Sequence, residues 1–500
     1  MRPKFAGSEK NRRDYWGVET KRRIGYSEMP IFSTCYRGNM SDFRELLTYS
    51  ASLIADYRER LIEQPVFPEV DFEVARASVG FLQDDPVPAR AVVEELVGVV
   101  EPMLVGTVGP RYFGFVVGGA LDSATAADIL AVGWDQNAFN AIMSPGAAVM
   151  EDIAGSWIKE LLGLPRQASF GFATGGQGAN TVSLAAARHF VLSKVGWDVE
   201  KDGLFGAPRV RVVVTGERHA TIDMALRILG FGSDIVEPVL VNSQGAIDIS
   251  DLSRVLETGS EGPVIVCLQA GNVNTGAFDD LVRAIPIAHE HDAWVHVDGA
   301  FGLWAAANPA TRYLLEGVEQ ADSWATDGHK WLNVPYDCGY AFCAHPDAHL
   351  GATSYSAAYL KGQGEDEFRA PGDFVLETSR RARGFATWAA LRQLGRTGIA
   401  ELVEGCCALA RRFAEQLANV EGVTVLNDVV LNQVLVRFGN DIQTDRVIQA
   451  VQRSGECWMG ATTWQGKRAM RISVSNWRTT EADVDLSVEA ILDALSAKEL

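Results

Sequence analysis

A lysine between two apolar segments is the first residue that could do chemistry. Lys330 follows an apolar run that ends near Ala325 and precedes a second run, Gly339–Ala344. This pattern predicts a connection between two buried strands. Partial desolvation there disfavours the ammonium and lowers the pKa of the lysine, leaving an amine that can attack an aldehyde to form a Schiff base. A surface lysine lying against Trp331 explains the segment equally well.

A glycine-containing turn could hold an anion. The segment Phe172–Asn180 follows a predicted strand, opens a predicted helix and contains Thr-Gly-Gly-Gln-Gly. Backbone N–H groups and the positive end of the helix would face one phosphate there. The segment lacks the third glycine and the acidic partner of a dinucleotide fingerprint. A tight strand-to-helix turn is the alternative interpretation.

A carboxylate ends another apolar strand. In Trp294-Val-His-Val-Asp298 the aspartate could cap a helix. It could instead face a pyridine nitrogen and keep that nitrogen protonated, which makes the ring an electron sink. His296 stands two positions earlier, on the same side of the strand, and could support Asp298.

Two further segments follow strands at the same predicted edge. A lone histidine such as His219 is more often structural, but its flat ring could also stack on an aromatic cofactor. The segment Gln269–Gly276 offers polar donors after its strand, or is an ordinary Asn/Gly turn. Phosphate turn, histidine ring, strand-end aspartate and lysine together match the needs of a phosphorylated pyridine aldehyde. The sequence therefore predicts pyridoxal 5'-phosphate as the cofactor.

With these residues in view, the sequence resembles the group II pyridoxal-phosphate-dependent amino acid decarboxylases, which include aromatic amino acid and glutamate decarboxylases. The most specific segments are Val297-Asp-Gly-Ala-Phe301 and Asp327-Gly-His-Lys-Trp-Leu-Asn-Val-Pro-Tyr-Asp-Cys338. Glycines at 178 and 328, and Gly-Asn-Val from Gly271, depart from residues that are common in the family. The resemblance implies a fold type I architecture and a homodimer with the site at its interface.

The resemblance also implies roles for individual residues. Lys330 would form the Schiff base, Asp298 would pair with the pyridine nitrogen and His219 would stack on the ring. Tyr359, on a mobile loop near 352–374, would protonate the carbanion after carbon dioxide leaves. The implied cofactor-binding residues are Lys330, Asp298, His219, Gly175, Gly176, Gln177, Asn272, Thr275, Asp327 and His329.

Two further residues are candidates for substrate binding. Arg471 resembles an arginine near the substrate carboxylate, although a structural salt bridge is the alternative. Phe113 and its aromatic neighbours could line an apolar pocket, or belong to the core. The predicted reaction is decarboxylation of an L-amino acid, aromatic or aliphatic, to the amine. An aminotransferase, an aldehyde-forming decarboxylase and a non-catalytic scaffold protein that keeps the fold are the alternatives.

The elements that must position these residues follow from periodicity. Short apolar strands alternate with helices from about 110 to 345, which predicts an α/β fold with a mostly parallel sheet covered on both faces. The predicted divisions are a basic extension (1–38), a helical segment packed on a partner subunit (39–105), a large cofactor-binding domain (106–382) and a small C-terminal α/β domain (383–500).

Composition limits the remaining classes. A formal charge of -19 argues against nucleic-acid and anionic-membrane surfaces. Seven cysteines without a CxxC pair predict free thiols in a reducing cytoplasm. No apolar run is long enough to span a membrane. No metal site is predicted, since solvent exposure explains His289 and His291 better than a cluster with His296.

Overall fold

A computed structural model describes residues 40–79, 81–259, 261–355 and 368–497. The chain divides into two compact units. One contains the chain up to Ile54 together with Phe72–Glu101, and the other contains Ala55–Asp71 together with the chain from Pro102. The basic extension predicted for residues 1–38 lies outside the described residues.

Three helices open the described chain: α1 (Met40–Arg60), α2 (Phe72–Val79) and α3 (Ala89–Val100). The sequence predicts a helix from Ser41 and another over 89–104, but it does not predict α2. No residue of α2 or α3 is buried.

A seven-stranded sheet and its helices form the middle of the chain. Its elements in order are α4 (Asp122–Trp134), α5 (Pro145–Leu162), β1 (Ser169–Ala173), α6 (Gly176–Ser193), α7 (Val199–Asp202), β2 (Arg211–Thr215), α8 (Ala220–Ile228), β3 (Val236–Val239), α9 (Ile249–Thr258), β4 (Val264–Gln269), α10 (Leu281–Glu290), β5 (Trp294–Asp298), β6 (Ser323–Asp327), β7 (Gly339–Cys343) and α11 (Pro346–Thr353).

The strands of this sheet lie in the order β1-β7-β6-β5-β4-β2-β3. Strand β7 runs opposite to the other six strands of this sheet. This confirms the predicted α/β fold with a mostly parallel sheet. Every residue of β1, β2, β4, β5, β6 and β7 is buried. Continuous runs such as Val264-Ile-Val-Cys-Leu are typical of strands covered on both faces. The edge strand β3 contains Pro238, and an edge position tolerates its missing N–H.

The C-terminal part forms a second, four-stranded sheet. Its elements are α12 (Arg383–Ala418), β8 (Val423–Val425), β9 (Gln433–Phe438), α13 (Asp441–Ser454), β10 (Gly460–Trp464), β11 (Lys467–Ser473) and α14 (Glu481–Ser496). The strand order is β10-β11-β9-β8, and each pair is antiparallel. Both sheets belong to the same compact unit, so the predicted domain boundaries at 105/106 and 382/383 stay predictions.

No helix within the described ranges is long and apolar enough to cross a membrane. The same ranges contain six cysteines, all buried and free. They contain no group of three metal-ligating side chains. His289 lies 3.1 Å from Asp322 through Nε2, and His296 points into the core.

Candidate active site

The carboxyl ends of the parallel strands bring the predicted residues to one edge of the sheet. Thr174 and the following glycines come after β1, His219 follows β2, Asp298 ends β5, and Lys330 follows β6. Ligands of such sheets bind beyond these strand ends. A cavity of about 490 Å³ lies there, lined by Thr174, Gly175, Gly176, Gln177, Gly178, Thr181, Ile228, Asp327, His329, Lys330 and Leu376.

Lys330 faces a buried carboxylate. Its Nζ lies 2.9 Å from Oδ2 of Asp327, and the lysine side chain is 20% exposed. The sequence predicts desolvation as the main influence on this lysine, whereas the structure also places an opposite charge beside it. Oδ1 of Asp327 is buried and has no hydrogen-bond partner. The aspartate thus keeps one oxygen for a further donor.

His329 lies between this aspartate and an aromatic ring. Its Nδ1 accepts a hydrogen bond from the Cys338 backbone N–H at 3.1 Å, so Nε2 carries the proton of the neutral ring. Nε2 lies 3.5 Å from Oδ1 of Asp327. Burial lowers the pKa of His329, and Asp327 only partly opposes this. Tyr336 stacks on the imidazole with ring centroids 4.3 Å apart.

Asp298 is a buried carboxylate that needs a cationic partner. It is 6% exposed, and its Oδ2 accepts a hydrogen bond from Asn180 Nδ2 at 3.2 Å. Burial raises the pKa of Asp298, while the charges of His219 and Lys330 lower it. These three groups and Asp327 lie within electrostatic range of one another. A protonated pyridine nitrogen would supply the missing opposite charge.

His219 caps helix α8 and is open to solvent. Its Nδ1 accepts from the Thr221 backbone N–H at 3.3 Å, which places the proton of the neutral ring on Nε2. Partial desolvation lowers the pKa of His219, and the positive charges of Lys330 and Arg471 act in the same direction. A neutral ring with one exposed face suits stacking on an aromatic cofactor.

The turn before α6 requires glycine because the chain passes close to the Asp327 and His329 side chains. A Cβ on Gly176 would lie 2.8 Å from Oδ2 of Asp327, and one on Gly175 would lie 3.0 Å from Cε1 of His329. No side chain caps the helix at Gly175. The first N–H groups of α6 therefore have no intrahelical acceptor and point to the cavity end, as a phosphate site requires.

Arg471 lies on β11 and has few partners. Its Nη1 is 3.4 Å from the Val273 carbonyl, and its buried Nε has no hydrogen-bond partner. Burial lowers its pKa. The neighbouring Tyr112 has a pKa raised to about 12, mainly by burial. A buried guanidinium with a free donor is suited to a carboxylate.

Six predicted residues in the described part of the chain are not among the residues that line this cavity: Asp298, His219, Arg471, Phe113, Asn272 and Thr275. Phe113 is 1% exposed and packs edge-to-face on Phe413, so its side chain belongs to the core and not to a substrate pocket. Asn272 and Thr275 are both buried. The Asn272 amide donates to the Glu217 carbonyl, and the Thr275 hydroxyl donates to the Gln244 carbonyl. Tyr359 lies outside the described residues.

Asn180, Tyr336 and Leu376 are site residues that sequence reasoning missed. Asn180 stands one helical turn beyond the glycines, on the face that covers β5 and β6, and this spacing is the only signal that could have found it. Tyr336 and Leu376 lie in segments without periodicity, and nothing in the sequence places them near the cavity.

The residues present fit pyridoxal 5'-phosphate. The free helix N-terminus suits its phosphate, the unbalanced buried charge of Asp298 suits a pyridinium, and Lys330 offers an amine near both.

Comparison with known proteins agrees with this fit. The family model "Pyridoxal-dependent decarboxylase conserved domain" matches residues 79–438. The chain is 26% identical over 491 residues to tryptophan decarboxylase 1 of Oryza sativa subsp. japonica, covering 91% of this chain and 93% of that protein. It is 27% identical over 406 residues to 4-hydroxyphenylacetaldehyde synthase of Rhodiola rosea, covering 76% and 79%.

The fold has close counterparts among solved structures. The crystal structure of Oryza sativa TDC with PLP and tryptamine superposes with a TM-score of 0.86, at 23% identity, over 94% of this chain and 99% of that one. With the family model spanning most of the chain, the protein belongs to the pyridoxal-dependent decarboxylases and is a carboxy-lyase that uses pyridoxal 5'-phosphate to decarboxylate an amino acid.

Proposed function

We propose that the enzyme converts an aromatic L-amino acid to its amine and carbon dioxide in a site made by Lys330, Asp298, His219 and Arg471. When bound, pyridoxal 5'-phosphate supplies an aldehyde that bonds to amines and a protonated ring that accepts the electron pair left by carbon dioxide. The proposal rests chiefly on the position of Lys330, Asp298 and His219 at the carboxyl ends of neighbouring strands, with Lys330 and the glycine turn before α6 lining one cavity.

The protein groups divide the work. Lys330 would offer the amine that holds the cofactor aldehyde. Asp298 would favour a proton on the pyridine nitrogen, and the first N–H groups of α6 would hold the phosphate. The imidazole of His219, with its proton on Nε2, would cover one face of the ring and exclude water from it.

Arg471 is proposed to orient the substrate carboxylate. Its free Nε and long contact to Val273 leave donors for an incoming anion. The desolvated guanidinium gains more from such a pair than an exposed one would. Tyr359 remains the proposed donor of the proton to the carbon that lost the carboxylate. This role rests only on the resemblance of the sequence to the decarboxylase family.

Aromatic rings near the site support an aromatic substrate. Tyr336 stacks on His329 and keeps 55% of its surface exposed. Phe115 is 64% exposed and stacks on Trp458, which in turn stacks on Tyr112 beside Arg471. Exposed ring faces can accept a further ring. The similar proteins named for tryptophan and 4-hydroxyphenylacetaldehyde point to the same substrate class.

A homodimer is also proposed, through a face on α4. Ile129, Leu130, Val132 and Trp134 are each at least 46% exposed, although all four are large and apolar. An apolar cavity of about 560 Å³ lies beside Trp134, lined in part by Met150 and Trp388. Exposed apolar surface of this extent marks an interaction site. We also place the enzyme in the cytoplasm, where buried free thiols stay reduced.

A substrate panel tests the reaction and its class. The full-length enzyme, loaded with cofactor, is incubated with each of the twenty L-amino acids, and carbon dioxide, amine, aldehyde and hydrogen peroxide are measured. We expect carbon dioxide and amine in equal amounts from one or more aromatic substrates. Release of carbon dioxide only from acidic substrates would contradict the substrate class. Aldehyde with hydrogen peroxide would instead identify an aldehyde synthase.

A further inference from the structure

A chain of buried hydrogen bonds leads from the core of the sheet to Asp298. Asn180 Oδ1 lies 2.9 Å from His296 Nε2, and His296 Nδ1 lies 2.9 Å from Ser323 Oγ. The indole N–H of Trp294 donates to the same Ser323 oxygen at 2.9 Å. Asn180, His296 and Ser323 are fully buried, and Trp294 is 1% exposed.

The direction of this chain is set at both ends. At one end the Asp298 carboxylate only accepts, so Asn180 turns its amide NH2 toward it and leaves its carbonyl for His296. His296 must then carry its proton on Nε2 and accept at Nδ1 from the Ser323 hydroxyl. At the other end an indole can only donate, so Trp294 occupies the Ser323 lone pair.

Reversing the chain has a cost. With Asp298 protonated, the amide of Asn180 and the ring of His296 could both turn around. The hydroxyl hydrogen of Ser323 would then lose its acceptor at His296 Nδ1 within a fully buried site. A buried donor without a partner is costly. The chain therefore keeps the Asn180 amide as a donor toward Oδ2 of Asp298, and a donor at that oxygen stabilises the ionised carboxylate more than the protonated one.

We propose that Trp294, Ser323, His296 and Asn180 form a positioning relay that keeps Asp298 ionised and aimed at the pyridine nitrogen of the cofactor. This inference rests on the proposed role of Asp298. Four charged or titratable groups also face that carboxylate: His219, Lys330, Asp327 and Cys267. The relay differs from these four groups because its members are neutral. Its hydrogen bonds therefore persist when a group at the cavity gains or loses a charge.

Neutrality of His296 is part of the relay. Complete burial lowers its pKa to about 3, so the ring carries a single proton at neutral pH. Asn180 also approaches Thr221 Oγ1 at 3.3 Å, and that oxygen lies 2.9 Å from Nδ1 of His219. The amide of Asn180 therefore connects Asp298 with His219, the histidine proposed to cover the cofactor ring.

The test compares two cofactors that differ only at the ring nitrogen. Full-length protein is reconstituted with pyridoxal 5'-phosphate or with its 1-deaza analogue, which has a C–H in place of the nitrogen, and both dissociation constants are measured. The ratio of the two constants gives the preference for the nitrogen-containing cofactor. We expect Ser323→Ala to lower this preference about fivefold to tenfold, roughly the effect of one lost hydrogen bond. Ser323→Thr, which keeps the hydroxyl, should restore most of it.

A second readout follows the ring nitrogen directly. With cofactor labelled by 15N at that position, the NMR shift reports its protonation in the loaded enzyme. We expect Ser323→Ala to lower the pH at which the nitrogen loses its proton by about half to one unit. Trp294→Phe, which removes the last donor together with part of a buried ring, should give a smaller shift in the same direction and serves if Ser323→Ala does not fold.

Controls separate the relay from packing and from the role of Asp298. Ser183 is a buried serine of α6 whose hydroxyl has no partner, so Ser183→Ala should leave the preference unchanged. Equal weakening of both cofactors by Ser323→Ala would overturn the relay and leave the proposed function standing. An unchanged preference in Asp298→Asn would overturn the role of Asp298 itself, and the relay with it.

Discussion

At the scale of single residues, chemistry is concentrated where side chains follow buried strands. Lys330, Asp298 and His219 could be predicted because each stands just after an apolar run, and parallel strands end at a common edge. Asn180 and Ser323 could not be predicted in the same way, since they lie inside a helix and a strand and act only through neighbours in space. The place of Phe113 could not be predicted, because an aromatic segment has the same pattern in a core and in a pocket.

The glycine turn gives a prediction at this scale. Gly176→Ala would put a methyl group 2.8 Å from Oδ2 of Asp327, the oxygen that pairs with Lys330. We expect affinity for pyridoxal 5'-phosphate to fall at least about tenfold while the fold persists, a loss on the order of 1.4 kcal/mol. Titration of the full-length protein with cofactor, followed by absorbance, measures it.

A matched glycine tests whether the loss is local. Gly405 lies inside α12 with nothing within 4 Å of an added Cβ. Gly405→Ala should leave cofactor affinity unchanged and should stabilise the protein by up to about 1 kcal/mol, because alanine favours helix. Equal affinity of Gly176→Ala and wild type would refute the phosphate turn.

At the scale of elements, strands were easier to predict than the helices that flank them. The sheet strands are short apolar runs: the sequence predicts strands over 264–270 and 294–297, each within a residue of β4 and β5. It does not predict α4 and α5, because their alanines and glycines show no apolar stripe and the large apolar residues of α4 face outward. It predicts one helix from Arg383 through Leu402 and another to about Leu417, whereas in α12 the non-helical backbone lies at Gly395.

The segment that returns from the predicted mobile loop is fixed by a buried ion pair. Arg380 Nη1 lies 2.9 Å from Oε2 of Glu151, both side chains are wholly buried, and Nη2 donates to the Phe172 carbonyl at 2.6 Å. Arg380→Met would remove the close partner of the buried Glu151 and leave it only Arg369, whose Nη1 lies 3.8 Å from Oε1. We expect a loss of about 3–5 kcal/mol in the free energy of unfolding, measured by urea denaturation.

The adjacent arginine is the control for this prediction. Arg381 forms a surface pair with Asp128 at 2.7 Å, and its side chain is 43% exposed. Arg381→Met should cost less than about 1 kcal/mol, since solvent screens the pair. Similar losses in the two variants would show that burial of the Glu151 pair does not matter.

At the scale of the whole molecule, net charge and exposed apolar surface determine how the protein meets its surroundings. Composition could exclude nucleic-acid binding, because -19 is a global property that needs no structure. The apolar face of α4 could not be predicted, since exposure depends on what the fold leaves uncovered.

The α4 face makes the oligomeric state testable. Trp134 is 57% exposed, and Trp134→Glu would place a charge in the proposed interface. We expect this variant to dissociate to monomers at concentrations where wild type is a dimer, as measured by sedimentation velocity. Tyr313 is 66% exposed and lines a different cavity, which shares no residue with the one beside Trp134, so Tyr313→Glu should remain dimeric. Monomeric wild type would contradict the dimer.

Stability should fall on acidification because buried histidines stay neutral in the folded state. Burial lowers the pKa of His349 and of His296 to about 3, whereas an unfolded histidine titrates near 6.5. Between these values the unfolded chain binds protons that the native state does not. Each group therefore removes about 1.4 kcal/mol per pH unit as pH drops below about 6.5.

Substitution isolates one of these contributions. His349→Gln should reduce the slope of unfolding free energy against pH by one proton below about pH 6.5. His289 is the opposite case, because its hydrogen bond to Asp322 raises its pKa, so its stabilisation is present at low pH and lost as pH rises. His289→Gln should therefore lower stability below about pH 6.5 by a constant amount, and should change the slope only above that pH, up to the raised pKa of His289. A slope unchanged by His349→Gln would contradict the buried neutral ring.

The most direct test of the account concerns the bond between Lys330 and the cofactor. The loaded enzyme is reduced with borohydride and digested, and the cofactor mass is located among the peptides by mass spectrometry. We expect the added mass only on the peptide that contains Lys330, and we expect it to be absent in Lys330→Ala. Stable attachment to a different lysine, or cofactor released without attachment, would contradict it.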